Sequence, residues 1–428
     1  MANSRRAAVI GGVRIPFARS NTAYTTLGNL ALLTAALKAL VDRFGLKGAR
    51  LGDVVAGAVI KHSRDWNLTR EAMQDCGLDP HTPAHDVQRA CGTSLTAAAA
   101  LAQRIEAGEI EAGIAGGVDT TSEVPLVYGR ALNAIALEGA RGRTLGARLK
   151  PWLRLRPHDL KPAAPAVVEP RTGLSMGEHC ELMAKEWSIG RTEQDELALR
   201  SHRNAAAAWD AGFYSDLVAP CAGLATDNNV RRDTELSKLA ALKPVYDRSA
   251  KGTLTAGNST PLTDGASCVL LASEAWARSH GLAVQAYLTH SAAAAVDYAG
   301  IVGAPEGLLM APTYAVPAML DRAGLTLQDF DIYEIHEAFS AQVLCTLRAW
   351  ESEEYCRQRL GRDKPLGAID CEKLNLKGGS VALGHPFAAT GTRIVATLAK
   401  QLEQRGSGRG LISICTAGGM GVAAILER

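Results

Sequence analysis

The chain has 428 residues, with 46 Lys plus Arg against 44 Asp plus Glu; 47% of residues are hydrophobic and 21% charged. That composition is globular, which excludes whole-chain disorder, and the length calls for two or three domains rather than one core. The near-neutral balance gives no support to a nucleic-acid groove, but it leaves room for a local basic patch facing a phosphorylated ligand.

In chain order, AAVIGGV (7–13) is a short apolar run ended by glycines, the pattern of a buried strand. No acidic residue precedes Asp42, yet that strand and Pro16 read against a targeting helix. Residues 27–44 are Ala/Leu-rich and helical, 51–60 read as a second strand, and 70–78 as a helix stopped near Gly77. A strand at 84–88, a turn, a helix over 94–106 and a strand through EAGIAGGVD follow. Strands alternating with helices of this length predict βαβ units and a layered α/β core.

The rhythm breaks between about 120 and 255. A Pro/Arg-rich stretch (151–170) precedes helices predicted at 176–187 and 192–211, the second opened by a capping box of Thr192 and Asp195. An insertion of this kind is placed to cover a site. The α/β rhythm resumes in GTLTAGNSTPLTDGASCVLLAS (252–273). The expected division is therefore a first half begun by 1–122 and completed by 252–290, an inserted lid at 123–251, and a second half at 291–428.

Nine cysteines are spread along the chain, with no CxxC or CxxH pair. An odd number without pairing is not a disulfide framework, and structural metal spacing is absent, so no metal is expected and a reduced, cytoplasmic protein is. No apolar run of about 18 residues suggests a membrane span.

Two βα units look alike. ACGTSLTAAAALAQRI leads through a strand to AGGVD, and ALGHPFAATGTRIVATLAKQL leads through GLISICTAGG to GGMG. If the units are equivalent, Cys91 and His385 stand at matching helix starts facing a common interface. The helix dipole and first-turn amides there would lower the Cys91 thiol pKa and favour the thiolate. His385, among glycines 378, 379 and 384, suits a general base. His336 and Glu337 end a strand in DIYEIHEAFS, and Cys415 ends another beside TAGGMG, near backbone amides able to hold an anion. TAGGMG lacks the GxGxxG order, which disfavours a dinucleotide site.

RACGTS, HEAF, GHP and CTAGGMG, in this order from 91 to 421, resemble the thiolases. GGVRIPFAR, SMGE and TAGNSTPLTDGA extend the resemblance over essentially the whole chain. His336 and NSTPLTDGA look most like the branch of the trifunctional-enzyme β subunits and their bacterial counterparts. The resemblance implies two similar α-β-α-β-α halves with an inserted loop domain. It implies Cys91 as acyl-accepting nucleophile, His385 as its base and Cys415 as the acid/base at the substrate α-carbon. Two oxyanion sites are implied, one near His336 and His385, the other at the amides of Cys91 and Ala417. Ala417 and His336 depart from the commoner glycine and asparagine of the family.

For CoA, the resemblance points to Arg231 at the nucleotide end and Thr260 and Met176 near pantetheine. Ser175 stands where many members have histidine. It further implies CoA and acyl-CoA as substrates without a tightly bound cofactor, a homodimer or homotetramer, and a hydratase/dehydrogenase α subunit as a candidate partner. The segment 145–170, with Trp152, Leu153, Leu155 and several arginines, reads as a lid, or as a contact for a partner or a membrane surface. The expected reaction is 3-oxoacyl-CoA cleavage, with acetoacetyl-CoA synthesis as the runner-up. Cys415 argues against a decarboxylating condensing synthase, which needs no second acid/base thiol. The complete Cys91–His385–Cys415 set argues against a non-catalytic member.

Overall fold

The computed structural model describes residues 5–163, 165 and 168–428. Residues 1–4 of the opening segment and 164, 166 and 167 of the Pro/Arg-rich stretch lie outside the described residues. Six strands come before residue 280: β1 (Ala7–Arg14), β2 (Ala18–Arg19), β3 (Asp53–Ala56), β4 (Ala84–Asp86), β5 (Ala112–Asp119) and β6 (Thr263–Ser273). Four follow: β7 (Ala286–Ala295), β8 (Ile332–Ile335), β9 (Arg409–Thr416) and β10 (Met420–Glu427). They are ordered β4-β3-β5-β6-β1-β7-β10-β9-β8, with β2 pairing off this path to β6.

The path is a pseudo-repeat about the β1–β7 junction. On one side β1–β6 and β6–β5 are antiparallel, then β5–β3 and β3–β4 parallel. On the other β7–β10 and β10–β9 are antiparallel, β9–β8 is parallel, and a parallel bridge from Tyr333 to Leu374 stands where β4 does. Helices fall at matching places too. Asn29–Arg43, Leu68–Asp75 and Thr93–Glu106 in the first half answer to Pro312–Ala323, Ser340–Glu351 and Thr390–Arg405 in the second. The likeness of two βα units is thus one part of a duplication of whole halves.

Thr93–Glu106 and Thr390–Arg405 pack on each other and on strands of both halves, forming the central helix layer of an α/β sandwich. Apolar periodicity alone does not bring them this close. Gly391 does, because a Cβ there would stand 2.3 Å from the Leu95 nitrogen. Their contact joins Leu95, Ala98 and Leu101 to Ile394, Val395 and Leu398 in one buried cluster.

The halves differ at one connection. β9 and β10 are joined by the three residues 417–419, with Gly418 and Gly419 both left-handed at φ +77° and +69°. The equivalent β5–β6 connection is the whole stretch 120–262. It holds the helices Arg130–Arg141, Met176–Glu186 and Arg191–Asp210. Within it Leu145, Leu149, Trp152 and Leu153 are exposed among arginines. No described helix is long and apolar enough to cross a membrane.

Two local expectations are corrected. The strand over 51–60 ends at Ala56, because the amides of Val59 and Ile60 donate to the Asp119 carboxylate instead of a ladder. The helix expected from Thr192 is capped at Gly190, whose amide donates to Glu193; Asp195 instead accepts from Arg191 and Asn258. Within 252–273, where the α/β rhythm resumes, the strand β6 begins at Thr263.

Candidate active site

Cys91 sits in a turn between β4 and the helix Thr93–Glu106. The residue before it, Ala90, is left-handed at φ +42°, which strains a non-glycine residue by about 1 kcal/mol. Thr93 holds that turn, since its hydroxyl accepts from the Arg89 amide at 2.9 Å and donates to the Ala90 carbonyl at 2.7 Å. His385 occupies the matching helix start in the second half. Gly384 has φ +100°, and a Cβ there would lie 2.6 Å from Asn229 and 2.7 Å from Thr263, so this bend admits only glycine.

The two starts meet. His385 Nε2 lies 3.1 Å from Cys91 Sγ, and its Nδ1 lies 2.6 Å from Thr390 Oγ1. With Nδ1–H donating to Thr390, the Nε2 lone pair faces the thiol, which is the tautomer a base requires. His336 follows β8, and its ring centroid is 4.2 Å from that of His385. Its Nδ1 lies 2.8 Å from Ser380 Oγ, while its Nε2 is buried with no partner among the described residues. One donor atom each from Cys91, His336 and His385 lies within 4.8 Å of the others, close enough to share a cation. Residues so far apart in the chain carry no metal-spacing signal. Cys415 is the last residue but one of β9, buried with Ala338 and Phe339. The Ala417 amide two residues later hydrogen-bonds the Cys91 sulfur.

The electrostatics overturn one expectation. Burial pushes the Cys91 thiol up to about 12, outweighing the amides of Ala417 and of Cys91 itself, which pull it down. Burial, then the Arg393 charge, lowers His385 to about 3. Cys91 and His385 therefore form a neutral thiol–imidazole pair rather than a thiolate–imidazolium pair. Cys415 is also held well above the ordinary thiol range, by burial first and by Cys91 second. His336 is held well below the ordinary imidazole range by burial, His385 and Arg393, so it is neutral. A group with a raised thiol pKa ionises only as the pH climbs. The ultraviolet thiolate absorbance of the wild type minus that of Cys91→Ser is expected to be nil at neutral pH. A full thiolate increment near pH 7 would contradict the neutral pair.

Several residues that the sequence did not single out hold these groups. Asp119, ending β5, accepts from Ile60 N and Ala388 N at 2.8 Å each, tying the first half to the segment just after His385. That junction needs Gly117, where a Cβ would fall 2.1 Å from the Ala388 carbonyl oxygen. Glu337, which the sequence did place at a strand end beside His336, accepts from Ser201 Oγ (2.7 Å), Asn375 Nδ2 (2.6 Å) and Val381 N (3.1 Å), so it orients neighbours. Glu169, from the β5–β6 connection, accepts from the Gly418 amide at 2.8 Å and pins the 417–419 turn. The one sequence signal for these was the AGGVD repeat unit, which ends on Asp119.

The residues expected to meet CoA are placed less uniformly. Met176 packs against the cluster that contains Cys415. Thr260 donates from N and Oγ1 to the Ala338 carbonyl at 3.1 and 3.2 Å, joining the end of the β5–β6 connection to the HEAF segment. Ser175 caps the helix Met176–Glu186 and shares its hydroxyl with Glu178, which occupies it locally. Arg231 is exposed, its amide donating to His202 Nδ1 at 3.2 Å.

Residues 7–275 match the family described as thiolase, N-terminal domain, and 289–428 the thiolase C-terminal domain. The 3-ketoacyl-CoA thiolase of Serratia proteamaculans (strain 568) is 43% identical over 428 residues, 99% of this chain and 97% of that protein. That of Pectobacterium carotovorum subsp. carotovorum (strain PC1) is 44% identical, covering 99% and 96%. Among solved structures, the Bacillus anthracis acetyl-CoA acetyltransferase has TM-score 0.81 at 28% identity, covering 99% of each chain. Human mitochondrial 3-ketoacyl-CoA thiolase in complex with CoA has TM-score 0.80 at 28% identity, covering 100% of this chain and 99% of that one.

Proposed function

The chain belongs to the thiolase family, and from that premise we propose that it is an acyltransferase cleaving 3-oxoacyl-CoA with CoA into acetyl-CoA and a shortened acyl-CoA. The observation that carries this is the 3.1 Å contact of His385 Nε2 with Cys91 Sγ, beside a second buried thiol. Carbon–carbon cleavage needs a nucleophile for the acyl group and a separate acid for the departing carbon.

In the proposed sequence His385 takes the Cys91 proton as sulfur attacks the 3-keto carbon. Negative charge builds on the carbonyl oxygen, which the amides of Cys91 and Ala417 would receive. Collapse breaks the Cα–Cβ bond, the electron pair passes into the acetyl-CoA enolate, and Cys415 supplies the proton to its α-carbon. The enolate oxygen would be received by His336 and His385. The proton on His385 then returns to the Cys415 thiolate, restoring both groups. A CoA thiol gives its proton to His385 and attacks the acyl-Cys91 thioester. Cys91 leaves as its shortened acyl group transfers to CoA, and takes the proton back. Every group ends as it began.

A neutral resting pair suits this order, because charge appears only when substrate fills the site and then sits beside oriented donors. Thiolases act on CoA thioesters. The reading assigns Arg231, Thr260, Met176 and Ser175 to CoA, with Ser175 the weakest since its hydroxyl serves the helix cap. It also includes a homodimer or homotetramer, a cytoplasmic setting, no tightly bound cofactor, and the stretch 123–251 as a lid. An α-subunit partner would meet the exposed apolar and basic face near 145–161.

Thiolysis rates on 3-oxoacyl-CoA of four carbons and of ten or more test the substrate class. Turnover of both is expected, and strict preference for the four-carbon substrate would favour acetoacetyl-CoA synthesis instead.

A further inference from the structure

The buried unpartnered Nε2 of His336 raises the question of which ring nitrogen carries the proton. Hydrogen-bond bookkeeping answers it. Arg393, on the helix Thr390–Arg405, is buried and donates from Nη2 to Ser380 Oγ at 2.7 Å. A guanidinium has donors only, so this bond occupies a lone pair of the hydroxyl and leaves its single hydrogen free. The other polar neighbour recorded for Ser380 Oγ is His336 Nδ1, at 2.8 Å.

The hydroxyl's second lone pair could take a ring N–H, but its own hydrogen would then be buried without an acceptor, so the arrangement that satisfies every group points that hydrogen at His336 Nδ1 as acceptor. The neutral ring then carries its proton on Nε2, the buried atom without a partner among the described residues. His336 contributes a nitrogen within 4.8 Å of the reacting groups of Cys91 and His385. The opposite tautomer would present a lone pair there and repel an oxyanion.

We propose that Ser380 and Arg393 are positioning residues for the reaction, acting in series to hold His336 as the Nε2–H tautomer that donates to the substrate enolate oxygen. The proposal rests on the thiolase reading for its consequence but not for its geometry. Arg393 lies on the helix that carries Thr390, the residue fixing His385. One helix thus sets the two histidines to opposite tasks. With Thr390 accepting from His385 Nδ1–H, as a base requires, the His385 Nε2 is an acceptor, whereas Arg393, through Ser380, makes the His336 Nε2 a donor. Two neutral rings 4.2 Å apart then offer a base and a hydrogen-bond donor to one small space.

The test is nitrogen NMR of the full chain carrying labelled histidine, with His336 assigned by loss of its signal in His336→Asn. The expected wild-type result is a pyridine-like Nδ1 and a pyrrole-like Nε2; the reverse pattern overturns the proposal whatever the activity. In Ser380→Ala the tautomer preference is expected to relax. Deuterium exchange at the acetyl-CoA α-carbon should then lose about 10²-fold in kcat, the worth of one oxyanion donor, with KM little changed. Ser380→Thr, which keeps a hydroxyl, should restore most of the rate. Unchanged kcat in a folded Ser380→Ala protein would overturn the role. If that variant does not fold, the wild-type spectrum still decides the tautomer. A protein with Nε2–H His336 and no thiolysis would refute the proposed function while leaving the tautomer assignment intact.

Discussion

Cys91→Ser is expected to abolish thiolysis, with a loss of at least about 10⁴-fold, while the protein stays folded. The change swaps one atom, and a hydroxyl can still hydrogen-bond His385 Nε2, so packing around the buried site is nearly conserved. Chemistry is not conserved. Burial and Arg393 make His385 a weak base, and an alcohol gives up its proton less readily than a thiol does. Intact mass after mixing with acetyl-CoA or a longer acyl-CoA should show an acyl adduct on the wild type and none on Cys91→Ser. An adduct at another cysteine, or activity within tenfold of wild type, would remove Cys91 from the role. Cys91→Ala should behave the same way, which separates loss of the nucleophile from any new effect of the hydroxyl.

Cys415→Ser should divide the reaction where Cys91→Ser ends it. General acid–base catalysis by a positioned side chain is worth about 10²–10⁴-fold, and a hydroxyl is the poorer proton donor. Thiolysis and α-proton exchange of acetyl-CoA are expected to fall by about 10³-fold. Acylation of Cys91 and its return to CoA need no proton at carbon, so both should survive within about tenfold. The variant would accumulate acyl-enzyme and exchange labelled CoA, yet neither make nor break carbon–carbon bonds. Equal loss of all four activities would instead mean that Cys415 supports the packing of the site, where it sits with Phe339 and Ala338.

Much of this arrangement was legible because its signals are local. Glycine punctuation and apolar period placed Cys91 and His385 at helix starts, and the short βα likeness was enough to put them in equivalent positions. What stayed hidden depends on partners distant in sequence. The state of the Cys91 thiol is decided by burial beneath the second half, so an argument from its own helix terminus had the wrong sign. Strand β3 stops early because Asp119, about sixty residues on, takes the Val59 and Ile60 amides. The cap at Gly190 rather than Thr192 is a smaller case, in which two acidic residues compete and Glu193 reaches the free amide first. Ser380 and Arg393 left no trace as motifs, since neither residue type announces a relay until the histidine is seen between them.

The protonated state of both site sulfurs has a consequence for survival under oxidative stress. Peroxide attacks thiolates, not thiols, so a buried pair kept protonated by its surroundings is a poor target. Of the nine cysteines, Cys371 is the one exposed at the surface, and it is not among the reacting groups. Early oxidative damage would fall there first, leaving catalysis intact until the site itself is opened.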